Sequence, residues 1–272
     1  MAKELKIIRY TFENFIENRM GFQCVSLSYF VTIAIVPLLA FIFAVSGGLG
    51  MEDRVMSFLN EVLPPAFNYT DMLADKARNI IDAAKSGPVG IVSALLFLWT
   101  VIWLMFQTER IFNNVWGIRK IPRNIFGRFG FYFGFLLLIP FVMIVFSYGI
   151  AIASNATSLI GIDTGKWHFF PKLLSWFSLY AFTVLTFSAM FKYIPAVKVR
   201  YGCALKAALF DALVFVGFQY VYLETQAFMG RLNAVYGVLA AIPLFLIWLN
   251  FSWQIIIYGA SLTRALQEVS EK

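Results

Sequence analysis

Residues 238–258 have the sequence VLAAIPLFLIWLNFSWQIIIY and contain no charged side chain. A transmembrane helix needs about 20 mainly apolar residues, because the hydrocarbon core of a bilayer is about 30 Å thick and a helix rises about 1.5 Å per residue. This stretch has that length and composition. It predicts that the chain is an integral membrane protein.

Five further stretches meet the same criterion. They are residues 21–45, 89–106, 129–153, 173–191 and 207–223. None of them alternates polar and apolar residues as barrel strands do, and backbone groups in lipid must be paired within their own element, so the spans are predicted to be helices. We therefore predict an all-α membrane protein, with six transmembrane helices in one bundle and a single domain over residues 1–272.

The overall composition supports this prediction. Hydrophobic residues make up 60% of the chain and charged residues only 14%. Soluble domains are usually about 45–50% apolar and about 25% charged. The excess of apolar residues is concentrated in the six stretches, so a large water-soluble core does not explain it.

The positions of lysine and arginine predict the orientation. If the N-terminus is cytoplasmic, 15 of the 22 Lys and Arg residues fall in cytoplasmic segments, nine of them in the two short loops after spans 2 and 4. Cytoplasmic loops carry an excess of these residues, so both termini are predicted to lie in the cytoplasm of a bacterial inner membrane. Residues 46–88 then form a helical extracytoplasmic segment. No cleavable signal peptide is expected from the pattern of the first residues, and the first span is expected to act as the targeting signal.

The net charge of +7 is interpreted mainly as this topology signal. The same loops are candidates for binding anionic lipid headgroups. The headgroup candidates are Arg119, Lys120, Arg123, Lys198 and Arg200. No RNA- or DNA-binding motif accompanies these charges, so nucleic acid is not expected as a partner.

Asp211 is the most conspicuous polar residue, because it lies within an apolar span where an ionised side chain is costly unless it is paired or hydrated. Phe215 and Gln219 follow at i+4 and i+8, so the three side chains share one helix face. That face is predicted to line the bundle interior or a wet cavity. The alternative is an interfacial position, with Asp211 paired to Lys206 or Arg200.

The last span carries two amides, Asn250 and Gln254, at i and i+4 on one face. Amides in lipid commonly form hydrogen bonds between helices, and lining a substrate path is the alternative interpretation. The cytoplasmic half of the first span is also polar and contains Tyr29. Together with Asp211 and Gln219, these residues are the substrate-path candidates.

Catalytic patterns are missing from the sequence. His168 is the only histidine, which excludes multi-histidine metal motifs, and neither G-x-S-x-G nor a P-loop occurs. Cys24 and Cys203 are far apart in the sequence and belong to no ligand cluster. We expect no enzymatic activity, no metal and no cofactor.

Several short motifs, in their order around the six spans, resemble the YihY/BrkB family of bacterial inner-membrane proteins. They are SYF at 28–30 with Pro37, IFNNVWGIR at 111–119, KYIP at 192–195, GCA at 202–204, YG at 236–237, Trp248 and YGA at 258–260. The chain departs from the family at Ser261, where family members tend to carry a glutamate, so a role that needs a carboxylate at this position is in doubt.

The resemblance implies a six-helix membrane protein, and a role in moving lipid or envelope material is the reasonable expectation from it. Some family members carry an old ribonuclease label, which the residues here contradict because metal-dependent cleavage needs a cluster of ligands. Two hypotheses remain. The chain translocates a lipid or envelope-related substrate through a polar seam of spans 1, 5 and 6, or it is a non-transporting scaffold for an envelope protein partner or a homo-oligomer.

Overall fold

The computed structural model describes residues 2–49, 87–118, 169–229 and 234–271, together with Gly127 and Gly130. All regular structure in these ranges is α-helical, and they contain no strand. The six helices are α1 (Ala2–Glu17), α2 (Met20–Leu49), α3 (Gly87–Val115), α4 (Phe169–Tyr193), α5 (Tyr201–Met229) and α6 (Ala234–Glu271). The predicted span 129–153, residues 50–86 of the predicted outer segment, and the headgroup candidates Arg119, Lys120 and Arg123 lie outside the described residues.

Three stretches among the described residues are long and apolar enough to cross a membrane. They are Leu95–Val115 in α3, Tyr201–Met229 in α5 and Ala240–Ser270 in α6. Large apolar side chains are exposed along several helices, including Phe22 on α2 and Trp99 on α3. Exposed apolar surfaces of this kind mark contact with a membrane or another protein, and the described part of the chain is helical throughout its regular structure, with three candidate membrane spans.

The end of α3 is fixed by a local backbone motif. Ile118 N donates to Asn113 O and Gly117 N donates to Asn114 O, both at 2.9 Å. Gly117 has a φ of 73°, the left-handed conformation that glycine adopts without steric cost. This pair of bonds is a Schellman motif, which satisfies helix-end carbonyls and terminates the helix.

The described helices divide into two compact units. Unit 1 comprises Met1–Met20, Glu109–Phe218 and Ile255–Lys272. Its core contains an aromatic series in which Phe112 lies 6.4 Å from Phe191, and Phe187 lies 5.8 Å from Phe191 and 5.3 Å from Phe215, measured between ring centroids.

Unit 2 comprises Gly21–Thr108 and Gln219–Gln254. Its contacts are largely aromatic. The ring of Phe30 on α2 lies 6.3 Å from that of Trp103 on α3, and Tyr222 on α5 stacks on Trp248 of α6 at 5.0 Å. Aromatic side chains thus join α2 to α3 and α5 to α6 within this unit.

Candidate functional site

The N-terminal half of α5 presents a face of small residues to the core of unit 1. Ala204, Ala207, Ala208 and Ala212 on this face are fully buried. Small side chains allow helices to approach closely. Asp211 lies on the same face and is only 1% exposed, so the carboxyl group occupies a tightly packed position. Lys206, considered above as a partner for Asp211, is exposed.

The backbone of α6 passes directly over the Asp211 carboxyl at Gly259. A Cβ atom at position 259 would lie 2.5 Å from Asp211 Oδ2 and 2.5 Å from Phe191 Cζ, closer than real Cβ contacts occur. Glycine is therefore the residue that lets α4, α5 and α6 meet around the carboxyl. Asp211 Oδ2 has no hydrogen-bond partner among the residues that the structure describes.

A second acidic side chain, Glu109 near the end of α3, is also fully buried in unit 1. Asn113, one turn further along, donates from Nδ2 to Glu109 O at 2.8 Å. Its Oδ1 accepts a bond from Ala196 N, also at 2.8 Å, which fixes the segment between α4 and α5 to α3. Glu109 was not singled out from the sequence because it follows the predicted span, and its position at the end of a long apolar helix was the available signal.

Three helices of unit 1 meet at the main-chain carbonyl of Val115, the last residue of α3. Asn14 Nδ2 on α1 donates to this oxygen at 3.1 Å, and Arg264 Nη1 on α6 donates at 2.7 Å. Arg264 Nε also pairs with Glu268 at 2.6 Å. A cation at a helix C-terminus interacts favourably with the helix dipole. We call Asn14, Val115, Arg264 and Glu268 the Val115 junction.

Tyr10 of α1 borders the Val115 junction. Its ring lies 5.7 Å from the Arg264 guanidinium, a cation–π contact. Burial, and secondly the hydrogen bond to Glu268, raise the pKa of Tyr10 to about 12. The phenol, which is neutral at neutral pH even at the ordinary pKa, therefore stays able to donate to Glu268 into the alkaline range.

The headgroup candidates Lys198 and Arg200 lie just before α5 and are both exposed. Gln267 of α6 holds their backbone, since its Oε1 accepts from Arg200 N at 2.9 Å and its Nε2 donates to Lys198 O at 3.1 Å. Their side chains are therefore presented at the surface of unit 1 from a fixed backbone.

The other substrate-path candidates belong to unit 2. Gln219 Oε1 on α5 accepts a bond from Trp248 Nε1 on α6 at 2.9 Å. Asn250 and Gln254 bond to each other along α6, with Gln254 Nε2 donating to Asn250 Oδ1 at 2.6 Å. Tyr29 lies on an exposed face of α2. Asp211 thus belongs to unit 1 with Phe191 and Gly259, and the remaining candidates belong to unit 2.

Comparison with known proteins yields one family. The family model described as "Virulence factor BrkB" matches residues 11–272. A "UPF0761 membrane protein" from Azotobacter vinelandii is 28% identical over 263 residues, which cover 93% of this chain and 61% of that protein. No solved structure matches.

Two other proteins of the same description show the range of lengths. The Psychrobacter protein is 26% identical over 95% of this chain but only 48% of its own length. The Haemophilus influenzae protein is 26% identical over 96% of this chain and 94% of its own length. Of the first three relatives, which are longer proteins, the chain spans 61%, 48% and 60% of the length. None of these descriptions names an enzymatic activity.

Proposed function

Because the chain belongs to the virulence factor BrkB family of membrane proteins, we propose that it is a six-span inner-membrane protein that translocates or handles a lipid or envelope-related substrate. The substrate would pass along a polar seam of the first, fifth and sixth spans, which correspond to α2, α5 and α6. The candidates for lining it are Asp211, Gln219, Asn250, Gln254 and Tyr29.

The observation that carries the proposal is the burial of Asp211 in a helix apolar enough to cross a membrane. A buried polar group without a hydrogen bond is costly, and ionisable residues within spans are typically found where they serve an ion or substrate path. Asp211 Oδ2 has no hydrogen-bond partner within the described residues. A role in handling a proton, an ion or a polar headgroup would give this buried carboxyl group a function.

The experiment replaces Asp211 by Asn, which keeps the volume of the side chain and removes its charge. We reconstitute the protein into vesicles that contain a fluorescent phospholipid and measure how fast an external reductant bleaches the inner-leaflet label. In vesicles with the wild-type protein, the inner-leaflet label should be bleached completely and faster than in protein-free vesicles. Asp211→Asn should abolish the acceleration at normal membrane abundance.

The matched control is Glu224→Gln, which removes a carboxylate from an exposed position of the same helix α5. This variant should bleach like the wild type. If Asp211→Asn translocates normally, the seam does not depend on Asp211. If Asp211→Asn instead fails to accumulate in the membrane, the carboxyl has a structural role.

A second candidate function is a non-transporting scaffold, and the hydrogen bonds of unit 2 favour it. Trp248 donates a hydrogen bond to Gln219, and Gln254 donates one to Asn250. The first bond joins α5 to α6 and is the kind that holds helices together in lipid without any substrate, and the second lies within α6. Wild-type vesicles that bleach no faster than protein-free vesicles would support the scaffold over lipid translocation.

A further inference from the structure

Helix α1 carries a stripe of exposed apolar side chains. Leu5, Ile8, Phe12 and Ile16 are 72%, 54%, 54% and 68% exposed. Their spacing of three, four and four residues places them on one face of the helix. We call these four residues the α1 stripe.

The opposite face of α1 is polar and packs against the protein. Thr11 is fully buried and donates to Ile7 O at 2.8 Å, and Asn14 is 6% exposed and bonds to Val115 O. A helix on the surface of a soluble protein has the reverse arrangement, with its apolar face on the core and its polar face in water. The medium that faces the α1 stripe is therefore expected to be apolar.

The partners of α1 belong to two helices that are long enough to cross a membrane. Val115 is the last residue of the candidate span Leu95–Val115, and Tyr258 belongs to the candidate span Ala240–Ser270. The ring of Tyr258 contacts Phe12 of the α1 stripe at 5.7 Å and Phe15 at 6.2 Å. Tyr and Trp are enriched where a membrane meets water.

The chain also keeps α1 close to the membrane surface. α1 ends at Glu17 and the apolar helix α2 begins at Met20. Three residues can span at most about 10 Å. The C-terminal end of α1 is therefore tethered within that distance of a helix whose first part, Met20–Ile35, is apolar.

Charged residues border the α1 stripe on one side. Lys6, Arg9 and Glu13 are all exposed, and Arg9 Nε bonds to Glu13 Oε1 at 2.6 Å. An apolar face with a charged edge is the pattern of helices that lie in the membrane interface, with long basic side chains reaching the headgroups.

We propose that α1 is an in-plane membrane helix, whose α1 stripe inserts into the cytoplasmic leaflet while Lys6 and Arg9 face the lipid phosphates. The partner is the bilayer itself. Lipid fits the exposed face of α1 better than water does, because that face is apolar and the buried face is polar. The contacts with Val115 and Tyr258 join α1 to two candidate membrane spans. This proposal does not depend on Asp211 or on any transported substrate.

The test measures lipid exposure along α1 in the full chain, reconstituted in phosphatidylethanolamine and phosphatidylglycerol vesicles. Single cysteines replace Ile8 or Ile16 of the stripe, or Glu13 or Glu17 as matched exposed controls, in a background of Cys24→Ala and Cys203→Ser. Each cysteine carries a nitroxide, and its collision rates with oxygen and with a water-soluble nickel chelate are recorded. Oxygen concentrates in lipid and the chelate stays in water. The ratio of oxygen to nickel collisions should be higher at positions 8 and 16 than at positions 13 and 17.

Two results would overturn the proposal. An equally low ratio at all four positions would place the stripe in water. Low collision rates with both reagents at positions 8 and 16 would mean that protein covers the stripe, as in a complex with a second copy of the chain. All four substituted side chains are exposed, so the labels do not disturb the core, and normal membrane abundance confirms this for each variant.

Discussion

At the scale of single residues, the close packing of α6 against the Asp211 carboxyl requires a glycine at position 259. A methyl group at position 259 would lie 2.5 Å from both the Asp211 carboxyl and the Phe191 ring. Because overpacking a tight core typically costs about 1–3 kcal/mol, Gly259→Ala should lower the thermal stability of the detergent-solubilised protein. Gly217→Ala on α5 is the control, since nothing lies within 4 Å of its added methyl group. Equal melting temperatures for the two variants would contradict the close approach.

The sequence revealed only part of this site. Asp211 stands out in the sequence because an ionised carboxyl group in an apolar span is energetically costly. Phe191 and Gly259 were not identified as its neighbours, because a phenylalanine and a glycine are ordinary in a span and only the packing of α4 and α6 brings them to the carboxyl. Glu109 was missed because the apolar stretch of α3 ends before the helix does.

At the scale of elements, the Val115 junction joins α1, α3 and α6. Arg264 reaches two acceptors at once, Val115 O from Nη1 and Glu268 from Nε, and its side chain is 21% exposed. A lysine has a single ammonium nitrogen and lacks the planar guanidinium, whose separate nitrogens bond both Val115 O and Glu268. Arg264→Lys should lose one charged hydrogen bond, a loss of about 1.5–3 kcal/mol in unfolding free energy.

The chain supplies a matched control for this prediction. Arg9 and Glu13 form an ion pair with the same i, i+4 spacing and the same 2.6 Å distance, but the Arg9 side chain is 80% exposed. Exposed pairs contribute little, so Arg9→Lys should leave the melting temperature of the solubilised protein unchanged. If Arg264→Lys is equally silent, the junction does not stabilise the fold.

The helices themselves were largely predictable. Five of the six predicted spans fall on the helices α2 to α6, and three of these helices contain a stretch long and apolar enough to cross a membrane. The predicted span 129–153 lies outside the described residues. The bounds differ because hydropathy detects the apolar stretch, whereas the helix continues through polar residues such as Arg264 and Glu268 that pair along its surface. α1 was not predicted, since its short mixed sequence resembles neither a span nor a soluble core helix.

At the scale of the whole molecule, the distribution of basic residues predicts which side of the membrane each segment faces. A cysteine in place of Asp75, in a background without Cys24 and Cys203, should react in intact cells with a reagent that does not cross the membrane. A cysteine in place of Lys198, which is exposed before α5, should react only after the cells are permeabilised. Labelling of position 198 but not of position 75 in intact cells would reverse the orientation.

The acceptor of the Val115 junction is a main-chain oxygen, which has a consequence for how the chain tolerates change over evolutionary time. Every amino acid supplies that atom, so position 115 can drift among apolar residues of similar size without loss of the acceptor. The two donors are side-chain atoms of Asn14 and Arg264, and each disappears with a single substitution. Selection for the hydrogen bonds of this meeting point therefore acts at positions 14 and 264, whereas at the buried position 115 it acts only on the size and apolarity of the side chain.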